Sequence, residues 1–236
     1  MQLEEARLEQ EIDRQSLKLI EETDEAEGYT SPHAIPLAHL AERLGARCGL
    51  RGTDLLAVKV AALAHDWGER VMKRDYLRRA RALTWEERLD LWRHPIIGEQ
   101  AAAERGLSRH VQLLIRWHHE WWNGLGYPDR LSGAAIPVGA RVLRVADSYC
   151  ALTADRPYRE RYDRGAAAAL VADQAGLECD PLVVKRLLAL LAEVPEVRSP
   201  EPEVEPAETQ DPDPGPGAAD DGLWTPDSGL LARDPD

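Results

Sequence analysis

Residues 60–66 read VAALAHD. Five apolar residues run straight into a histidine and an aspartate, so a helix made from this run carries His65 and Asp66 into the interior at its end. An ionised aspartate out of water needs a partner of opposite charge, and a divalent cation supplies one where no basic residue is adjacent in sequence. The arrangement recurs along the chain. His118-His119 follows VQLLIRW, Asp147 follows ARVLRVA, and His94 closes a segment that carries Leu89, Leu91 and Trp92. Ligand-type residues at the inner ends of apolar helices are the way helical bundles build metal sites in their cores.

Working outward from that run, the apolar residues keep helical spacing in Ala34 to Leu50, Thr53 to Ala64, Thr84 to His94, Ile97 to Arg105, Arg109 to Trp117, Pro137 to Ala154 and Arg164 to Gly176. Asp180 to Ala192 adds a last helix, with Asp180-Pro181 as N-cap and first-turn residue. Alternating runs rich in Val, Ile and Thr are missing. The fold class is therefore all-α, a compact bundle of six to eight helices. Ahead of it, Leu3, Leu8, Ile12, Leu17 and Ile20 give residues 1–28 a narrow helical stripe. Such a stripe packs on the following domain or pairs with its copy in a homodimer.

The chain has 236 residues and a formal net charge of -13. Twelve Asp or Glu against two Arg, and nine of the sixteen prolines, lie between Pro195 and Asp236. That stretch has too few apolar residues to offset chain entropy, so residues 195–236 are expected to be a disordered acidic tail. The acidic balance argues against a protein that holds DNA by its phosphates. No apolar run is long enough to span a membrane. Cys48, Cys150 and Cys179 are scattered and odd in number, as expected of reduced thiols in a cytoplasmic protein.

Imidazole and carboxylate without thiolate suit Mn, Fe, Zn or Co. The chain has seven histidines, and the four histidines and two aspartates named above already exceed what one ion takes. Two ions sharing a bridging carboxylate would use the whole set. Such a pair can hold a bridging hydroxide and stabilise the oxygens of an in-line displacement at phosphorus.

The ordered motifs resemble the HD-GYP domain, a bacterial subgroup of HD-type metal-dependent phosphohydrolases linked to hydrolysis of cyclic di-GMP. They are HAIPLAHLAERLG, ALAHDWGE, LTWEE, HP followed by IIG, HHEWWNGLGYP, IPVGARVLRVADSYCALTADRPYR and a final DP, from about Tyr29 to Leu191. The resemblance implies an all-helical domain, residues 29–194, around a centre of two or three divalent transition-metal ions. Iron or manganese is favoured, with zinc and cobalt as alternatives. It places His33, His65, Asp66 and Asp147 around one ion, with Asp66 bridging to a second held by His94, His118 and His119. His65 and Asp66 are the catalytic pair. A metal-bridging water would open cyclic di-GMP, or a related nucleotide, to pGpG or GMP.

The resemblance further makes Gly126, Tyr127 and Pro128 one wall of the substrate site, with Tyr127 stacking on or hydrogen-bonding the substrate. It brings Arg156 and Arg159 to phosphate or guanine. A signalling-protein partner through the GYP surface follows by analogy. This chain departs from the family pattern at Glu69 where lysine is usual, at Cys150 where a second aspartate is usual, and at Asn123 where aspartate is usual. Tyr29 replaces an acidic residue present in trinuclear members, which favours two ions. The alternative reading, resting on Glu69, Cys150 and Asn123, is a binding or signalling module that keeps the fold and has lost turnover. Trp117, Trp121 and Trp122 are read as packing.

Overall fold

The computed structural model describes residues 34–78, 82–155 and 160–193. The N-terminal stripe of residues 1–28, His33, Arg156, Arg159 and the tail of residues 195–236 lie outside them. Among the described residues nine α-helices follow one another: α1 (Ala34–Arg47), α2 (Gly52–Ala64), α3 (Trp67–Met72), α4 (Trp85–Leu91), α5 (His94–Glu104), α6 (Arg109–Trp117), α7 (Val138–Thr153), α8 (Arg164–Asp173) and α9 (Pro181–Ala192). Two short 3-10 turns, Asp75–Arg78 and Gly133–Ala135, complete the described elements. No strand forms among the described residues; Ala175 and Cys179 share one isolated bridge. The all-α expectation holds, and the described residues already hold one helix more than the six to eight expected. The addition is α3, only six residues long and too short to show a period.

Helix α7 runs through the middle, burying residues on nearly every side from Gly139 to Leu152. It packs on α1, α2, α6 and α8. A methyl group on Gly139 would come within 2.9 Å of both Leu114 and Val58 side chains, so this glycine lets α7 close on α6 and α2. Helices α1 and α2 form an antiparallel pair whose buried Leu37, Ala38, Ala41 and Leu44 meet Ala57, Val58 and Ala61 in one continuous core. No helix among the described residues is long and apolar enough to cross a membrane.

Helix ends set the positions that matter. Thr84 and Glu87 close a reciprocal capping box on α4, and Ser108 caps α6 through the Val111 N–H. Asp180 accepts the Leu182 N–H at 2.7 Å just before Pro181 opens α9, as the sequence pattern implied. One boundary differs. The sequence pattern runs the helix that begins at Thr84 as far as His94, but α4 stops at Leu91 and His94 opens α5 with Pro95 in its first turn. A proline tolerates the first turn, where its missing N–H costs nothing, and would have clashed within a continuous helix.

Candidate metal centre

His65 and Asp66 leave the end of α2, His94 opens α5, and His118 and His119 leave the end of α6. The packing of α3 on α5 and of α2 on α6 brings these ends together. Gly68 makes the approach feasible: a Cβ there would sit 1.9 Å from the His94 carbonyl oxygen. His65, His94, His118 and His119 are buried. The two histidines left out of the expected set, His39 and His110, are exposed.

Three of the rings are oriented in the same way. The Nδ1 of His65, His94 and His118 faces the carbonyl oxygen three residues earlier, of Ala62, Leu91 and Ile115, at 3.0, 2.9 and 2.6 Å. A carbonyl only accepts, so in each neutral ring Nδ1 carries the hydrogen and Nε2 keeps its lone pair. The Nε2 atoms of His94 and His118 are then turned toward each other at 3.4 Å. Two lone pairs facing at that distance repel unless a cation or proton comes between them. Burial and the nearby His65 and His94 lower the His118 pKa against the pull of Asp66, which keeps its ring neutral and ready to ligate.

Asp66 stands between two groups of rings. Its Oδ2 is 2.8 Å from His65 Nε2, while Oδ1 is 3.3 Å from His94 Nε2 and 3.7 Å from His118 Nε2. Burial alone would raise this carboxyl; with a proton on the facing Nε2 atoms, the His65 charge and hydrogen bonds from His118, His65 and His94 hold it well below the ordinary carboxylate range. One ligand atom from each of Asp66, His94, His118 and His119 lies within 4.8 Å of the others. On the other side His65 Nε2 is 3.8 Å from Asp147 Oδ1. Neutral imidazoles and an anionic carboxylate with preset orientation are a donor set that fits a divalent transition-metal ion.

Residues 120–131 form the adjoining loop, and its supports are absent from the motif reading. Buried Glu120 accepts the backbone N–H of Asp129 at 2.6 Å and of Leu131 at 2.8 Å. Burial raises its pKa against those two bonds. Arg116 grips Asp129 with two bonds of 2.6 and 2.7 Å and reaches Glu99 at 2.7 Å; Glu99 also accepts from Arg109. The Arg116 bond lowers the Asp129 carboxyl and raises the guanidinium. Trp117 is packed against the core as expected and also donates to Asp129 at 2.7 Å. Trp121 and Trp122 lie under the guanidinium groups of Arg144 and Arg141, and Arg144 bonds Glu178 and the Nδ1 of His119.

The three expected wall residues take different parts. Gly126 is buried, and a Cβ on it would meet the Trp121 nitrogen at 2.2 Å and the His119 oxygen at 2.5 Å, so it is a packing glycine against the ligand turn. Tyr127 stacks on His119 with ring centres 4.9 Å apart and on Trp92 at 5.4 Å. Pro128 is half-buried beside it.

The departures also separate. Asn123 is exposed and its side chain accepts the Leu125 N–H at 2.9 Å, a turn bond an aspartate would make equally well. Cys150 is buried next to Asp147's turn of α7, and burial with the Asp147 charge pushes its thiol up to about 12, so it stays protonated. All three cysteines are free. Glu69 lies in α3, half-buried. Burial and the Asp90 bond raise the Tyr76 phenol, and the Glu69 charge adds to that push.

The family model described as HD domain matches residues 7–183. Among curated proteins the chain is 33% identical over 192 residues to the cyclic di-GMP phosphodiesterase response regulator RpfG of Xanthomonas campestris pv. campestris, covering 80% of this chain and 50% of that protein. It is 37% identical over 137 residues to a cyclic di-GMP phosphodiesterase of Vibrio cholerae, covering 55% and 28%. The chain thus spans half or less of the length of these relatives. Among solved structures, the cyclic GMP-AMP specific phosphodiesterase V-cGAP3 of V. cholerae superposes with a TM-score of 0.60 at 20% identity, covering 75% of this chain and 48% of that one. That likeness speaks for the fold.

Proposed function

The chain belongs to the HD-domain family, and from that premise we propose that it is a metal-dependent phosphodiesterase that opens cyclic di-GMP or a closely related cyclic dinucleotide. The observation that carries the reading is the pair of Nε2 atoms on His94 and His118, each ring oriented by the carbonyl three residues earlier, turned toward each other beside Asp66. In this reading His94, His118, His119 and Asp66 hold one ion, Asp66 is shared, and His65 and Asp147 with His33 hold a second. Iron or manganese is the favoured metal. When bound, two such ions polarise the phosphoryl oxygens and generate the nucleophile from water.

The chain's own groups do the rest. Asp66 offers one oxygen to each side of the cluster. Tyr127 braces the His119 ring and is assigned, with Gly126 and Pro128, to the substrate wall. Arg156 and Arg159 are assigned to phosphate or guanine. The domain limits read from the sequence, residues 29–194 between a helical stripe and an acidic tail, the cytoplasmic location and a signalling partner at the GYP surface belong to the same proposal.

A second reading, a binding module without turnover, is favoured by Cys150, whose protonated thiol in the core cannot do a carboxylate's work. Asn123 no longer argues for it, since its side chain makes a turn bond. The deciding experiment incubates metal-loaded protein with cyclic di-GMP and follows pGpG and GMP. Product that disappears with Asp66→Ala supports the enzyme. Tight binding without product supports the module.

A further inference from the structure

Four aromatic rings form an unbroken line from the surface to the cluster. Trp85 meets Trp92 edge to face with centres 5.6 Å apart, Trp92 stacks on Tyr127 at 5.4 Å, and Tyr127 stacks on His119 at 4.9 Å. The inner rings are enclosed or half-buried, while Trp85 is 59% exposed. It is nevertheless held in place. Trp85 is the first residue of α4, immediately after the Thr84 capping box, and Trp92 lies seven residues on, at the other end of the same short helix. A flat apolar surface therefore stands three ring contacts from the candidate ligands, on a residue that is more than half exposed to water.

We propose that the exposed indole of Trp85 stacks a nucleobase of the cyclic dinucleotide whose phosphodiester lies at the His65, Asp66, His94 and His118 cluster. The proposal rests on the phosphodiesterase reading and adds to it a binding residue, Trp85 of the LTWEE stretch, to which the resemblance gives no role. The chemistry is suitable because every base has a π-face, and stacking on an aromatic side chain is strong and tolerant of sequence. Trp85 then supplies affinity for guanine and adenine dinucleotides alike, and discrimination between them comes from hydrogen-bonding groups elsewhere. Trp92 acts as its support, fixing the indole relative to Tyr127 and so to the cluster.

The test is equilibrium binding of a hydrolysis-resistant phosphorothioate analogue of cyclic di-GMP to the full, metal-loaded chain, measured by calorimetry. Trp85→Ala is expected to weaken binding about tenfold and Trp85→Phe to keep it within about threefold, with metal content and Tm as in the wild type. Trp85→Ala protein that binds as tightly as wild type overturns the platform and leaves the phosphodiesterase reading standing. Wild-type protein that binds no analogue and opens no cyclic dinucleotide overturns both. Trp85→Leu, which keeps apolar bulk without a π-face, guards against a folding artefact: affinity equal to wild type in that variant also overturns stacking.

Discussion

The histidine cluster and the loop of residues 120–131 lie side by side and are held by different means. In the cluster, His65, His94 and His118 are each fixed by a carbonyl three residues earlier. In the loop, the bonds of Glu120, Asp129, Arg116 and Glu99 join residues nine to seventeen positions apart. The rings of the cluster are oriented by bonds local in sequence, at the ends of α2 and α6 and at the junction of α4 and α5. The loop is tied through Arg116 and Glu99 to two different helices, α6 and α5. Damage to the first should therefore show in metal binding, and damage to the second in stability and substrate affinity.

The largest effect is expected from Asp66→Ala. Losing the carboxylate that faces both groups of rings should lower turnover more than about 100-fold, beyond what loss of an outer partner costs. Metal analysis should show ions missing, with little change in the loop. Glu120→Ala should do the reverse. It leaves the Asp129 and Leu131 N–H groups without their acceptor and should lower stability by about 2–4 kcal/mol, read as a drop in Tm of roughly 5–10 °C. Metal content should stay at the wild-type level. If Glu120→Ala loses metal as readily as Asp66→Ala does, the two regions are one unit and the contrast fails.

Arg116→Lys is a finer probe. It keeps the charge and removes the planar fork on Asp129, at an expected cost of about 1 kcal/mol in denaturant unfolding. The smallest effect is in pH. Burial lowers the His118 pKa below the ordinary imidazole value of 6.5, so its contribution to stability is present above 6.5 and is lost as pH falls from there toward its folded value. Asp129 is lowered from 3.8, so its contribution persists to that pH and is lost only below it. Glu120, raised by burial, works in the opposite direction as it protonates. Tm of metal-free protein followed against pH should start to fall near 6.5, with a second fall below about 3.8. A flat profile between 6.5 and 4 would remove His118 from the account.

The same contrast explains what could be read from the chain alone. Apolar runs ending in His or Asp are local patterns, so the all-α class and the meeting of His65, Asp66, His94, His118 and His119 were legible before any coordinates. His94 was placed at the wrong end of its helix because Leu89, Leu91 and Trp92 continue the apolar pattern up to it, while Pro95 resets the helix there. Glu120 follows the histidine pair directly, and its burial in an aromatic stretch was a usable signal. Arg116, Glu99 and Arg144 had none, because a surface-type charge far away in sequence reveals its partner only after folding. Gly126 carried the opposite ambiguity: a loop glycine fits substrate contact and close packing equally well, and only the 2.2 Å approach to Trp121 decides.

The central claim is that the cluster holds two divalent ions and uses them on a cyclic dinucleotide. It is tested most directly by turnover of cyclic di-GMP by protein whose metal content has been measured in the same sample. The account predicts about two transition-metal ions per chain, release of pGpG or GMP, and loss of both in Asp66→Ala. Fully loaded protein that leaves cyclic di-GMP and related cyclic dinucleotides intact would contradict it.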